Sequence, residues 1–90
     1  MHAVFTMVRI EPGKFDDLGT RMIQEDLLPQ VRQAPGFVKA VWFGDRDTGH
    51  GLIVFDTEEQ ARAANQFVPA IEFDGVQVIS SQTYTIVAEG

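Results

Sequence analysis

The chain has no cysteine among its 90 residues. This absence excludes disulfide bonds and thiolate metal sites, and with them the class of small secreted proteins that depend on disulfides for stability. An intracellular location is compatible with this composition, and we expect a cytoplasmic protein. The sequence also lacks a glycine-rich phosphate loop, a Ser-His-Asp arrangement and a Cys-His pair, so no covalent mechanism is predicted.

Basic residues are few: seven Lys and Arg stand against thirteen Asp and Glu, for a formal net charge of -6. They are scattered between Arg9 and Arg62 rather than clustered, which argues against nucleic acid or an anionic membrane as a partner. No apolar run predicts a membrane span, since Arg9 interrupts the first one. We also expect no secretory leader, because the first residues carry no basic stretch.

A chain of 10.0 kDa has room for a single domain, and we assign residues 1–90 to one. A monomer of this size buries only about 64% of the surface that its unfolded chain exposes. Apolar residues make up 44% of the composition, which is ordinary for a folded protein. The core is therefore predicted to be small, and we expect a partner subunit to add to its stability.

The first third of the chain predicts a strand followed by a helix. Residues 2–10 are rich in Val, Phe, Thr and Ile and precede a Pro-Gly turn, as at the end of a strand. A helix from Phe15 to about Leu28 follows, because apolar residues recur at spacings of three and four. These residues are Phe15, Leu18, Met22, Ile23, Leu27 and Val31. Gly19 weakens this helix, and Pro29 either kinks it at Leu28 or begins a short new turn.

The remainder predicts a hairpin, a second helix and a last strand. Residues 37–43 and 50–55 are β-branched and aromatic and flank turn residues, which is typical of a hairpin. Thr57 and Gln60 have the spacing of a helix-capping box, and Pro69 ends the helix that they begin. The inward residues of this helix are predicted to be Ala61, Ala64 and Val68. After a turn at Asp74-Gly75, residues 76–87 predict the fourth strand.

The resulting order is β-α-β-β-α-β, which predicts an α+β, ferredoxin-like fold. We expect a four-stranded antiparallel sheet of strand order 4-1-3-2 with two helices on one face. A sheet covered on one face should alternate apolar and polar residues, but three of the predicted strands are apolar on both sides. On the first strand, Val4, Val8 and Ile10 share one side, and Ala3, Phe5 and Met7 share the other.

The second strand is also apolar on both sides, with Val38, Ala40 and Trp42 on one side and Phe37, Val41 and Phe43 on the other. On the third strand, Leu52 and Val54 oppose Ile53 and Phe55. Each large apolar side chain left in water forfeits about 1.5–3 kcal/mol. We therefore expect a homodimer in which two identical sheets meet face to face. The alternative is a monomer whose second face is an apolar patch for another protein.

Three segments resemble the antibiotic-biosynthesis monooxygenase-like family of dimeric α+β barrels. They are 34–43 (APGFVKAVWF), 45–49 (DRDTG) and 50–63 (HGLIVFDTEEQARA). The likeness spans almost the whole chain and concerns fold and packing more than activity. Some members of that family oxygenate aromatic compounds without metal or flavin, and others degrade haem.

The haem-degrading members use an asparagine on the first strand and a tryptophan and histidine around the second helix. This chain has no Asn on its first strand and neither Trp nor His between Asp56 and Val68, so haem degradation is not expected. For the cofactor-independent oxygenases, the resemblance implies a pocket between helices and sheet with Asn, Trp and Tyr side chains. The corresponding candidate catalytic residues are Trp42, Asn65 and Tyr84. No metal site and no cofactor-binding residue is predicted.

Each candidate also has a purely structural interpretation. A tryptophan packs in the core more often than it stacks on a ligand, so we expect Trp42 to be a core residue. The Tyr84 hydroxyl suits either a ligand or a structural hydrogen bond, and Asn65 is expected to face solvent. Lys39 fits an edge strand better than an anion site.

The remaining chemical groups favour no second site. His2 is expected to fray and His50 to lie near a turn, and because their strands are antiparallel neighbours the two cannot share an ion within one protomer. The acid pairs Asp16-Asp17 and Glu58-Glu59 fall in the first turns of helices, where the helix dipole favours negative charge.

Two functions remain open from the sequence. In the first, a cytoplasmic homodimer binds a small apolar or aromatic molecule between helices and sheet, and the resemblance adds cofactor-independent monooxygenase activity. In the second, the chain is a non-catalytic ligand-binding or protein-interaction module. A cavity above roughly 300 Å³ with converging polar groups favours the first, and a filled interior favours the second.

Overall fold

The computed structural model describes the backbone of all 90 residues and the side chains of residues 1–16 and 21–90. It contains one four-stranded antiparallel sheet and two helical regions, an α+β fold. The strands are β1 (His2–Ile10), β2 (Phe37–Gly44), β3 (Thr48–Phe55) and β4 (Val76–Thr85). Their order across the sheet is β2-β3-β1-β4, so the predicted order 4-1-3-2 is confirmed.

The first helical region has three parts: α1 (Phe15–Asp17), a π-helical stretch (Leu18–Leu27) and α2 (Leu28–Arg32). Pro29 is the second residue of α2, and proline is tolerated in the first turn of an α-helix. Of the two predicted outcomes at Pro29, a kink at Leu28 or a new turn that starts with Pro29, the structure is closer to the second, but α2 begins one residue earlier, at Leu28, and follows the π-helical stretch without a break. The predictions for Leu18 and Asp17 fall on side chains outside the described residues.

The second helical region is α3 (Glu58–Phe67), followed by a 3-10 turn (Val68–Ala70). The predicted capping box is present: the Thr57 hydroxyl accepts from the Gln60 N–H at 3.2 Å, and the Gln60 side chain accepts from the Thr57 N–H at 3.1 Å. Gly36 lies against this cap with a φ of 78°. A Cβ there would overlap the Gln60 side chain, so the loop before β2 needs glycine for both reasons.

The capping box gives a direct stability prediction. Thr57→Ala removes the oxygen that satisfies the Gln60 N–H, and we expect the free energy of unfolding to fall by about 1 kcal/mol. Thr57→Ser keeps the hydroxyl and should retain most of the stability. Urea denaturation of the three proteins measures this, and equal loss in both variants would contradict the capping role.

Both helical regions pack on one face of the sheet, called here the inner face. The core joins inner-face residues of β1 and β3 to helix residues that are almost fully buried. The sheet side of this core is Val4, Ile53 and Phe55, and the helix side is Leu27, Val31, Ala61, Ala64 and Val68. The predicted inward residues of α3 are therefore confirmed.

Two register shifts change which residues share a face. On β2, a shift between Phe37 and Lys39 places Phe37 on the inner face, where its ring meets that of Phe55 edge to face with centroids 6.4 Å apart. The prediction that Phe37 shares a side with Val41 and Phe43 was therefore wrong, because strict alternation does not continue through a bulge. On β4, the shift opposite Met7 and Val8 leaves Ile79 half-exposed.

The other face of the sheet, called here the outer face, is partly covered by the final segment, residues 86–90. Ile86 leaves β4 with its N–H bonded to the Met1 carbonyl at 3.0 Å, and Glu89 reaches Lys39 on β2, with oxygen and nitrogen 2.6 Å apart. Because β4 and β2 are opposite edges, the segment crosses the face between them. Ala3 and Val54 lie on that path, and each is only 2% exposed. The fourth strand therefore ends at Thr85 rather than at the predicted Val87.

No helix in the described part of the chain has both the length and the apolar character needed to span a bilayer.

Candidate ligand cavity

A cavity of about 120 Å³ lies between the inner face and the helical regions. Its walls are almost entirely apolar. The sheet contributes residues such as Ile10, Ile53 and Val78, the first helical region contributes Phe15 and Ile23, and the segment after α3 closes one side. Val78 is 37% exposed, and the cavity is partly open to solvent. The space is smaller than the roughly 300 Å³ of a drug-sized ligand pocket, but the interior is not filled.

Trp42 lines this cavity from β2. Its neighbour across the sheet is Gly51 of β3, and a Cβ at Gly51 would lie 2.7 Å from the indole Nε1. The glycine therefore lets the indole lie flat across the adjacent strand. Among the described residues the Trp42 Nε1–H has no hydrogen-bond partner, so Trp42 supplies a free donor as well as apolar surface.

A polar chain runs beside the cavity from α3 to β1. The Ser81 hydroxyl donates to Asn65 Oδ1 at 2.6 Å, and Asn65 Nδ2 donates to the Ser81 carbonyl at 3.3 Å. The Thr6 hydroxyl lies 2.9 Å from Ser81 Oγ, and Thr6 itself lines the cavity. These hydrogen bonds therefore link Asn65 of α3 to Thr6 in the wall of the cavity.

The structure brings together only part of the predicted candidate set. Trp42 is at the cavity, and Asn65 is connected to it through Ser81 and Thr6. Asn65 is half-buried, so the expectation that it faces solvent was wrong: α3 turns this position toward β4, where Ser81 satisfies both ends of its amide. Tyr84 lies on the outer face, 51% exposed, and donates to Gln82.

An aromatic row crosses the outer face from β2 to β4 and is defined by Phe43, His50, Phe5 and Tyr84. The His50 ring is stacked between Phe43 and Phe5, with centroid distances of 5.1 and 5.7 Å. Tyr84 meets the edge of Phe5 at 6.4 Å. The Nδ1 atom of His50 is buried without a hydrogen-bond partner among the described residues. His50 is thus part of an apolar face and not simply a residue near a turn.

The two histidines lie far apart along the sheet. His2 pairs with Phe55 and His50 with Met7, so they occupy opposite ends of neighbouring strands, as predicted. His2 is part of β1, and the expectation of a frayed residue was wrong because it is paired on both sides. In residues 1–16 and 21–90, no group of three His, Asp or Glu side chains is placed to hold a metal ion.

The other charged candidates have structural partners. Lys39 lies on the edge strand β2 and pairs with Glu89, which confirms its interpretation as an edge residue. Glu58 pairs with Arg62 one turn along α3. These contacts are exposed, and such pairs contribute little to stability.

Sequence reasoning missed Thr6 and Ser81. The available signal was Thr6 itself, a polar residue between Val4 and Val8 on a side of β1 that is otherwise apolar from Val4 to Ile10. A hydroxyl at such a position is buried and needs a partner. The identity of that partner required the pairing of Thr6 with Ser81 on β4, which depends on the bulge before it.

The fold and cavity define the chain as a small α+β protein with a four-stranded antiparallel sheet, one helix-covered face and one largely apolar open face. Comparison with models of known protein families gives no match, and comparison with curated proteins gives none either.

Proposed function

We propose that this chain is a cytoplasmic homodimer of the ferredoxin-like, dimeric α+β barrel type that binds a small apolar or aromatic molecule. The observation that carries the proposal is the apolar cavity of about 120 Å³ beside Trp42. A dry, apolar protein cavity of about 150 Å³ is known to bind benzene. The size therefore suits a ligand with a single ring.

The resemblance to the antibiotic-biosynthesis monooxygenase-like family adds the proposal of catalysis without a cofactor. In that mechanism, polar side chains polarise a phenolic substrate so that it reacts with molecular oxygen. Trp42 and the Thr6 end of the polar chain are at the cavity, but Tyr84 is on the outer face and donates to Gln82. This separation favours the non-catalytic ligand-binding alternative. Oxygen uptake with phenolic substrates that is lost in Trp42→Ala would favour catalysis instead.

The outer face supports the homodimer. Three large side chains on the outer side of the sheet remain about half-exposed: Val41, Phe43 and Tyr84. The final segment covers Ala3 and Val54 at one end of this face but leaves the aromatic row open. A second copy is the occupant that we propose, because the same aromatic row on two chains related by a two-fold axis forms a self-complementary contact.

Ligand binding is tested with toluene and a variant that fills the cavity. Val68 is buried and lines the cavity, so Val68→Phe places a ring inside it. We expect toluene to change the fluorescence of Trp42, the only tryptophan, in the wild type but not in this variant. At about ten times its dissociation constant, the ligand should raise the thermal midpoint of the wild type by about 6–11 °C.

Val87→Phe is the matched control, because Val87 is 94% exposed and does not line the cavity. It should bind toluene as the wild type does. Circular dichroism of Val68→Phe establishes that the variant is folded. The proposal is overturned if the wild type binds neither toluene nor a ring of similar size that carries an O–H or N–H group, or if folded Val68→Phe binds toluene with unchanged affinity.

A further inference from the structure

Thr6 is the one residue with a hydroxyl among the described residues that line the cavity. It is 8% exposed, and its only hydrogen bond among the described residues is to Ser81 Oγ at 2.9 Å. A hydroxyl has one hydrogen to donate and two lone pairs to accept with. What Thr6 offers a ligand therefore depends on the direction of the bond to Ser81.

That direction is fixed by a backbone carbonyl at the other end of the polar chain. The Ser81 carbonyl can only accept, so the Asn65 atom 3.3 Å from it must be the NH2 group. The other end of the same amide, Oδ1, then faces Ser81 Oγ at 2.6 Å. Reversing the amide would set two acceptors against each other at the carbonyl. Asn65 is therefore an acceptor toward the Ser81 hydroxyl.

The direction of the hydrogen bond between Thr6 and Ser81 follows from the number of hydrogens that Ser81 can donate. Ser81 gives its one hydroxyl hydrogen to Asn65, so toward Thr6 it has only lone pairs. Thr6 must donate its own hydrogen to Ser81, and the lone pairs of its oxygen remain unused. The polar chain thus runs in one direction, from Thr6 to Ser81 to Asn65, and leaves Thr6 as an acceptor.

We propose that the cavity selects small apolar molecules that carry one O–H or N–H group, and that Thr6 Oγ1 accepts this hydrogen. Thr6 is then a specificity-determining residue, and Ser81 and Asn65 are positioning residues that hold it in the accepting state. This inference rests on the proposed ligand-binding function. A ring without a donor still fits the apolar walls, but it leaves the Thr6 lone pair unpartnered.

The test compares three ring compounds of similar size: phenol and aniline, which donate, and toluene, which does not. Isothermal titration calorimetry gives the affinity of each for the wild type, and the ratio of phenol to toluene affinity defines the donor preference. Comparing this ratio between the wild type and each variant cancels the different cost of taking the two probes out of water. Thr6→Val keeps the shape of the side chain without its hydroxyl, and we expect the ratio to fall about tenfold while toluene binding is retained.

Two further variants separate recognition from simple damage to the core. Thr6→Ser keeps the hydroxyl and should keep the donor preference. Ser81→Ala removes the acceptor that holds the Thr6 hydrogen, so the Thr6 hydroxyl becomes free to rotate and donate. We expect the ratio to fall in this variant too, although Thr6 is unchanged.

The outcomes distinguish this inference from the function on which it rests. If toluene binds but Thr6→Val leaves the phenol and aniline ratios within twofold of the wild type, donor recognition by Thr6 is wrong and the cavity remains a ligand site. If Ser81→Ala leaves the ratios unchanged, the positioning role is wrong. If none of the three probes binds the wild type, the ligand site and the donor preference are both overturned.

Discussion

Phe43→Glu is expected to dissociate the proposed homodimer into monomers. Phe43 is 51% exposed at one end of the aromatic row, and in a face-to-face dimer each copy would bring a carboxylate into the apolar contact. Burying an unpaired charge costs several kcal/mol. We expect the dissociation constant to rise at least about a hundredfold, which corresponds to about 2.7 kcal/mol.

Light scattering at micromolar concentration measures this directly, because the chain mass is 10.0 kDa and the dimer has twice that mass. Phe43 also lines the cavity of about 120 Å³, whereas Val41 does not. Val41→Glu introduces the same charge elsewhere on the face and should also dissociate the proposed dimer. Phe67→Glu is the matched control, since Phe67 is partly exposed on α3 away from the outer face. A wild-type protein that is monomeric under these conditions would rule out the homodimer.

Among the side-chain truncations that we propose, Phe55→Ala is expected to lower the free energy of unfolding the most. Phe55 is fully buried, packs with Phe37 and joins β3 to the helix residues of the core. Removing a buried Phe ring costs about 3–5 kcal/mol, because the cavity that remains is only partly filled by relaxation. Domains of this kind are stable by only about 5–15 kcal/mol in total, so the variant should unfold at much lower urea concentration.

Phe67→Ala makes the same chemical change at a residue that is 37% exposed, and its effect should be clearly smaller. Both variants should be compared with the wild type at one protein concentration, because the proposed dimerisation would make apparent stability depend on concentration. A loss in Phe55→Ala that is no greater than the loss in Phe67→Ala would contradict the position of Phe55 at the centre of the core.

The extent to which the candidate site was predictable differs between its residues. Trp42 was identified because its size and chemistry are visible in the sequence. Asn65 was identified as a residue type, but its burial was not, since a helix of only ten residues can direct a polar side chain to solvent or to the sheet. The sequence allowed two interpretations of Tyr84, a ligand contact or a structural hydrogen bond. Its place on the outer face follows from its pairing with Ala3 on β1.

The sequence by itself determined the order of the elements, the strand order of the sheet, the capping box and the apolar character of both sheet faces. These properties follow from local periodicity, turn chemistry and general rules of connection. The tertiary structure alone decided the bulges, the path of residues 86–90 across the outer face and the polar chain from Thr6 to Asn65. Each of these joins residues distant in sequence, such as Thr6 and Ser81, and one extra residue in a strand reverses which face every later side chain occupies.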